Sequence, residues 1–140
     1  MSGRRWPVDR IGAPLRETWL GETASLTALE LRGIGRLLVF EAPVGAYTLR
    51  RVAFVLRRGE LERAADILTC SESATDDADG DGIAELTECQ REFVLDDNGE
   101  LLDNWAVRTT YHAWNGTCFV PRYEQFQSCG ELGPLVRIAR

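Results

Sequence analysis

Within the stretch from Asp76 to Glu88 the chain places six carboxylates, Asp76, Asp77, Asp79, Asp81, Glu85 and Glu88, and no basic side chain occurs between Arg63 and Arg91. Like charges this close repel, so a fold that gathers them must raise their pKa values or supply a counter-ion. Alternate Asp residues with Gly80 and Gly82 between them suit a hard divalent cation. Calcium takes about six to eight oxygen ligands at roughly 2.3–2.6 Å, and glycine permits the turns that aim successive carboxylates at one centre. Residues 76–88 therefore read as a calcium loop holding one structural ion, with Asp77, Asp79, Asp81 and Glu85 as ligands and Asp76 and Glu88 as further candidates.

Two calcium architectures share this spelling. The EF-hand pattern is met by Asp77, Asp79, Asp81, Gly82 and Glu88, but it needs a helix entering the loop, and Thr69-Cys70-Ser71-Glu72-Ser73-Ala74-Thr75 is a poor helix former. The other pattern, Asp-x-Asp-Gly-Asp-Gly-x-x-Glu-Leu, is matched at every place by Asp77 to Leu86. It resembles the calcium loop of FG-GAP/VCBS-type repeats of bacterial extracellular proteins and integrin propellers, where the loop joins two β-strands. The resemblance implies side-chain oxygens from Asp77, Asp79 and Asp81, the backbone carbonyl of Ile83 and a closing carboxylate from Glu85. The chain carries one copy, and a propeller needs several blades, so a whole propeller is excluded.

The cysteines agree with a loop held between strands. Cys70 precedes it and Cys89 follows it, while Cys118 and Cys129 flank the last hairpin and tail. Four cysteines allow three connectivities. None is arranged as the close Cys-x-x-Cys pair of a zinc site, so two disulfides are expected, Cys70–Cys89 and Cys118–Cys129, in an oxidising compartment. Met1 to Leu20 lacks the apolar run of a secretory signal, yet the disulfides and the calcium loop place the domain outside the cytoplasm, as a periplasmic, cell-surface or secreted protein.

No catalytic residue is expected. His112 is the sole histidine and sequence places no acid or serine beside it. Ser71, Ser73 and Ser128 lie in no nucleophile elbow, and neither a P-loop nor a phosphate-cradling glycine motif occurs. The net charge of −6 belongs to one loop: eight acids and no bases fall between Ala64 and Gln90, leaving 16 bases against 14 acids elsewhere. No basic face for nucleic acid is apparent, and no apolar run is long enough to span a membrane as a helix.

The elements that must position the loop read as an antiparallel sheet. Residues 1–25, with Pro7, Pro14 and three glycines, read as an irregular arm whose Trp6 and Trp19 dock on the core; residues 26–140 read as one β-rich domain. Tyr47–Arg57 is the clearest strand, with Val52, Phe54 and Leu56 on one side and Arg51, Ala53, Val55 and Arg57 on the other. Leu61–Leu68 and Glu85–Asp96 fit strand or helix spacing, and the short connecting turn favours strand for the first. Asn98-Gly99 and Asn115-Gly116 are hairpin signals. The expected fold is mainly β, an antiparallel meander or small sandwich of about seven to eight strands with an inserted calcium loop and little helix.

Function is expected to be non-enzymatic: a calcium-stabilised binding or structural module whose partner is a protein or glycan surface. Trp105, Tyr111, Trp114, Phe119 and Tyr123 are candidates for a ligand-facing patch, core packing being the competing use. Two other readings are an EF-hand or dockerin-like calcium-responsive domain and a small secreted hydrolase.

Overall fold

Short turns dictate how the β-favouring runs pair. The structure, a computed structural model describing residues 25–45, 48–70 and 73–138, contains no helix among those residues. Its strands are β1 (Ser25–Leu31), β2 (Gly35–Gly45), β3 (Thr48–Arg57), β4 (Glu60–Thr69), β5 (Thr75–Asp76), β6 (Glu85–Leu95), β7 (Leu101–Trp114), β8 (Phe119–Ser128), β9 (Glu131–Leu132) and β10 (Val136–Arg137). Seven are long and three have two residues, so the long strands match the expected number. They form two antiparallel sheets, ordered β1-β2-β3-β4 and β10-β8-β7-β6-β5, with β9 on β8. The arm expected over residues 1–25, with the docking of Trp6 and Trp19, lies outside the described residues except for Ser25, which opens β1.

The two ambiguous segments are strands. Only Arg58 and Gly59 separate β3 from β4, so the chain folds straight back and Arg57 pairs with Glu60. β6 is committed by its partner: the Asn98-Gly99 turn returns β7 along it from Leu95↔Leu101 to Leu86↔His112. The Asn115-Gly116 turn then leads into β8, with Asn115 Oδ1 accepting from the amides of Thr117 and Cys118 at 2.8 and 2.9 Å.

Alternation along β3 serves two apolar clusters, because both faces of that strand are covered. Ala53 and Val55 join Leu29, Leu31, Leu37, Val39 and Ala64, and the second sheet adds Leu86 and Phe119, with Trp114 packed against them. On the opposite face, Val52 and Phe54 join Leu26, Phe40 and Ala42, with the Phe40 and Phe54 rings edge-to-face at 5.6 Å. Each fully buried Leu, Val or Phe in such a cluster contributes on the order of 2 kcal/mol.

Polar links reinforce the joint between the sheets. Arg51 is the largest fully buried side chain. Its Nη2 donates to Glu41 Oε2 on β2 at 2.9 Å, and its Nη1 to the carbonyl of Thr87 on β6 at 3.0 Å. Arg57 donates to the carbonyl of Gly116 at 2.7 Å and lies over the Trp114 ring, 5.1 Å from its centroid. Where β4 hands over to the second sheet, Cys89 N donates to Thr69 Oγ1 at 3.0 Å and Cys70 N to the Cys89 carbonyl at 3.2 Å.

Candidate metal centre

The acidic loop runs between β5 and β6, and its base is closed on both sides. Asp76 pairs with Glu85 and Thr75 with Leu86 across the β5–β6 ladder. The Thr87 hydroxyl donates to the Ser73 carbonyl, and Cys70 and Cys89 form a disulfide with their Cα atoms 5.2 Å apart. Strands, not helices, flank the loop, so an EF-hand has no counterpart among the described residues.

Between these anchors the chain turns on Gly80 and Gly82, both at positive φ (73° and 86°), a conformation side-chain-bearing residues seldom adopt. Loop amides hold the carboxylates inward. Gly82 N donates to Asp77 Oδ2 at 2.9 Å, Asp81 N to Asp79 Oδ1 at 3.2 Å and Ile83 N to Asp81 Oδ1 at 2.8 Å. As a result Asp77, Asp79, Asp81 and Glu85 each offer a carboxylate oxygen, all within 4.8 Å of one another. This group could hold a metal ion. Its donors are all hard oxygens, which suits a cation of the calcium or magnesium kind rather than zinc or copper.

Glu85 separates this group from an ordinary acidic surface turn. The three aspartates are exposed, whereas Glu85 is only 2% exposed, and neither of its carboxylate oxygens has a hydrogen-bond partner. Leaving a buried carboxylate without a partner is costly. Burial, then the adjacent Asp79 and the charge of Asp81, push its pKa up to about 7. Desolvation works against ionised Asp79 as well, yet the hydrogen bond from the Asp81 amide holds its carboxyl below the usual range. No ion pair reaches any of the four acids from the described residues. An orphaned acid aimed at three others fits a cation.

The other candidates have different surroundings. Ile83 brings its amide to Asp81, and its side chain lies against the β1–β2 turn, where a β-carbon placed on Gly33 would sit 3.2 Å from Ile83 Cδ1. Asp76 faces outward on β5, and with Glu85 it adds to the burial that raises the pKa of the Tyr111 hydroxyl. Glu88 stands apart. Three residues along a strand from Glu85 it points to the opposite face, where its Oε1 is 2.9 Å from Nε2 of the buried His112. No acid neighbours His112 along the chain; the only signal for this pair is the β6–β7 register, since the two residues are 24 apart.

The second expected disulfide does not form. Cys118 and Cys129 are free thiols at opposite ends of β8. A ten-residue strand spans about 33 Å, whereas a disulfide needs Cα atoms within about 7 Å. Of the candidate patch, Tyr111 and Phe119 are buried and Trp114 packs against the core, leaving Trp105 prominently exposed.

Compared with known proteins, the chain matches no family model, no curated protein and no solved structure significantly. The likeness to FG-GAP/VCBS-type loops thus rests on the residues from Asp77 to Leu86.

Proposed function

We propose that the chain is a non-enzymatic, calcium-stabilised β-domain that works outside the cytoplasm as a binding or structural module. The observation that carries this reading is the buried, partnerless carboxylate of Glu85 facing Asp77, Asp79 and Asp81. Those four residues would hold the ion, with the Ile83 carbonyl added by the resemblance to FG-GAP/VCBS-type loops. The bound cation supplies the positive charge that the loop's own side chains lack. The protein's part is to orient the aspartates through loop amides and to keep Glu85 away from water. Binding to the folded chain alone then stabilises it in proportion to the logarithm of free calcium.

The disulfide at the base of the loop supports an oxidising, extracytoplasmic setting. Calcium is also a weak activator of water compared with zinc, which favours a structural over a catalytic role. Calorimetric titration of the chelator-treated chain with calcium tests the reading: one site whose binding is lost in Glu85→Gln and Asp79→Asn is expected. Equal, negligible heats for the parent and both variants would overturn it.

A further inference from the structure

The stretch from Ala64 to Gln90 holds no base, but the fold brings one to the acidic loop from the first hairpin. Ile34 N donates to the Leu31 carbonyl at 3.1 Å, closing the β1–β2 turn with Arg32 and Gly33 at its centre. Gly33 takes a φ of +78°, the conformation a type II turn requires at its third residue. That turn rests on the loop through two adjacent contacts. A β-carbon placed on Gly33 would sit 3.2 Å from Ile83 Cδ1, and one on Gly82 would sit 3.5 Å from Arg32 Nη1. The Gly82 amide in turn donates to Asp77 Oδ2 at 2.9 Å. The Arg32 guanidinium therefore stands within about 9 Å of that carboxylate, inside one Debye length of about 10 Å at 0.1 M salt. It makes no ion pair among the described residues.

We propose that Arg32 is a built-in counter-charge that calcium must work against, so that it sets the calcium concentration at which the loop fills. The inference rests on the metal reading above and assigns to the same site a residue that is no ligand. Its sign follows from charge. The empty loop gathers the carboxylates of Asp77, Asp79, Asp81 and Glu85, and a guanidinium beside them is attracted to the group. A divalent ion brings two positive charges to the centre that Arg32 faces, and the attraction is cancelled. An arginine does not shed its own charge to relieve the conflict. Across roughly 7–9 Å near a protein surface, the opposition is worth about three- to tenfold in Kd after screening by salt. A merely structural contact would have the reverse sign, since losing it would loosen the loop and weaken binding.

Calorimetric titration of the full chain with calcium at about 0.1 M salt is the test. Arg32→Gln should tighten binding about three- to tenfold and Arg32→Glu further, while Arg32→Lys, which keeps the charge, should bind as the parent does. Arg32 is exposed, so the variants should keep the parent's circular dichroism. Arg137→Gln makes the same change of net charge on β10, at the opposite edge of the sheet from the loop. Four strand spacings, roughly 19 Å, separate the two edges, so that variant should leave the Kd unchanged. The gap between Arg32→Gln and the parent should shrink at about 0.5 M salt. Unchanged or weaker binding in Arg32→Gln, equal tightening in Arg32→Lys or Arg137→Gln, or a gap indifferent to salt overturns the proposal and leaves the calcium site standing. A parent chain that binds no calcium overturns the metal reading and this inference with it.

Discussion

Arg51 and Thr87 join the two sheets: a fully buried guanidinium on β3 donates to a backbone carbonyl on β6 at 3.0 Å. The same side chain holds Glu41, which is itself largely buried. Removing one partner of a buried, hydrogen-bonded ion pair costs about 3–5 kcal/mol, because the other charge is left behind. Arg51→Ala is therefore expected to lose that much in urea unfolding. Arg51→Lys should recover little, since one ammonium does not reproduce two fixed donors.

Calcium should raise the melting temperature and chelator should lower it. At a free concentration of about a hundred times Kd the gain is about 2.7 kcal/mol, or roughly 10 °C for a chain of this size. Glu88→Ala should keep this gain in full, because Glu88 faces His112 and not the loop. A loss equal to that of Asp79→Asn would place Glu88 among the ligands.

Glu85→Gln should cross over. In chelator at neutral pH the variant is expected to be more stable than the parent by on the order of 2 kcal/mol, because a neutral amide replaces an acid whose ionisation the site opposes. With calcium the order reverses. Parallel melts in both buffers check this, and a variant less stable in each would refute it.

The raised pKa of Glu85 also sets a pH trend for the metal-free chain. Between its ordinary value of 4.5 and about 7 the folded state holds a proton that the unfolded chain has released. Stability from this group is complete below that window and is lost as pH rises through about 7. Melts in chelator should fall in temperature from pH 5 to pH 8. Calcium affinity, measured by titration over the same range, should rise, because binding expels that proton. The depressed carboxyls of Asp66 and Asp103 act in the opposite sense at more acid pH, below this window.

One disulfide and two thiols should be found in the unreduced protein. Its mass should be two hydrogens below that of the reduced chain, and alkylation should label Cys118 and Cys129 alone. Replacing Cys70 and Cys89 by serine should cost about 3 kcal/mol, from the freed chain between them.

Much of this arrangement is written in local residue patterns. The two Asn-Gly turns and the alternation along β3 dictate hairpins whose ladders then draw β4 and β6 into strand geometry despite their helix-compatible spacing. The loop acids are legible because their chemistry lies within a few consecutive residues. What escapes such reading depends on partners distant in sequence. The carbonyl that receives Arg51 is 36 residues away, and the acid beside His112 is set only by register. Cys118 and Cys129 look like a pair until the straight length of β8 is laid between them.

Gly33 sits in the first hairpin, yet its missing side chain leaves the room that Ile83 occupies at the end of the acidic loop. Even a methyl group there would press on the isoleucine, on a backbone at φ +78° that already disfavours one. An alanine at that upstream position would thus behave as a cation-binding defect, although it removes no oxygen from the centre. The first hairpin acts as the mould in which the loop is cast.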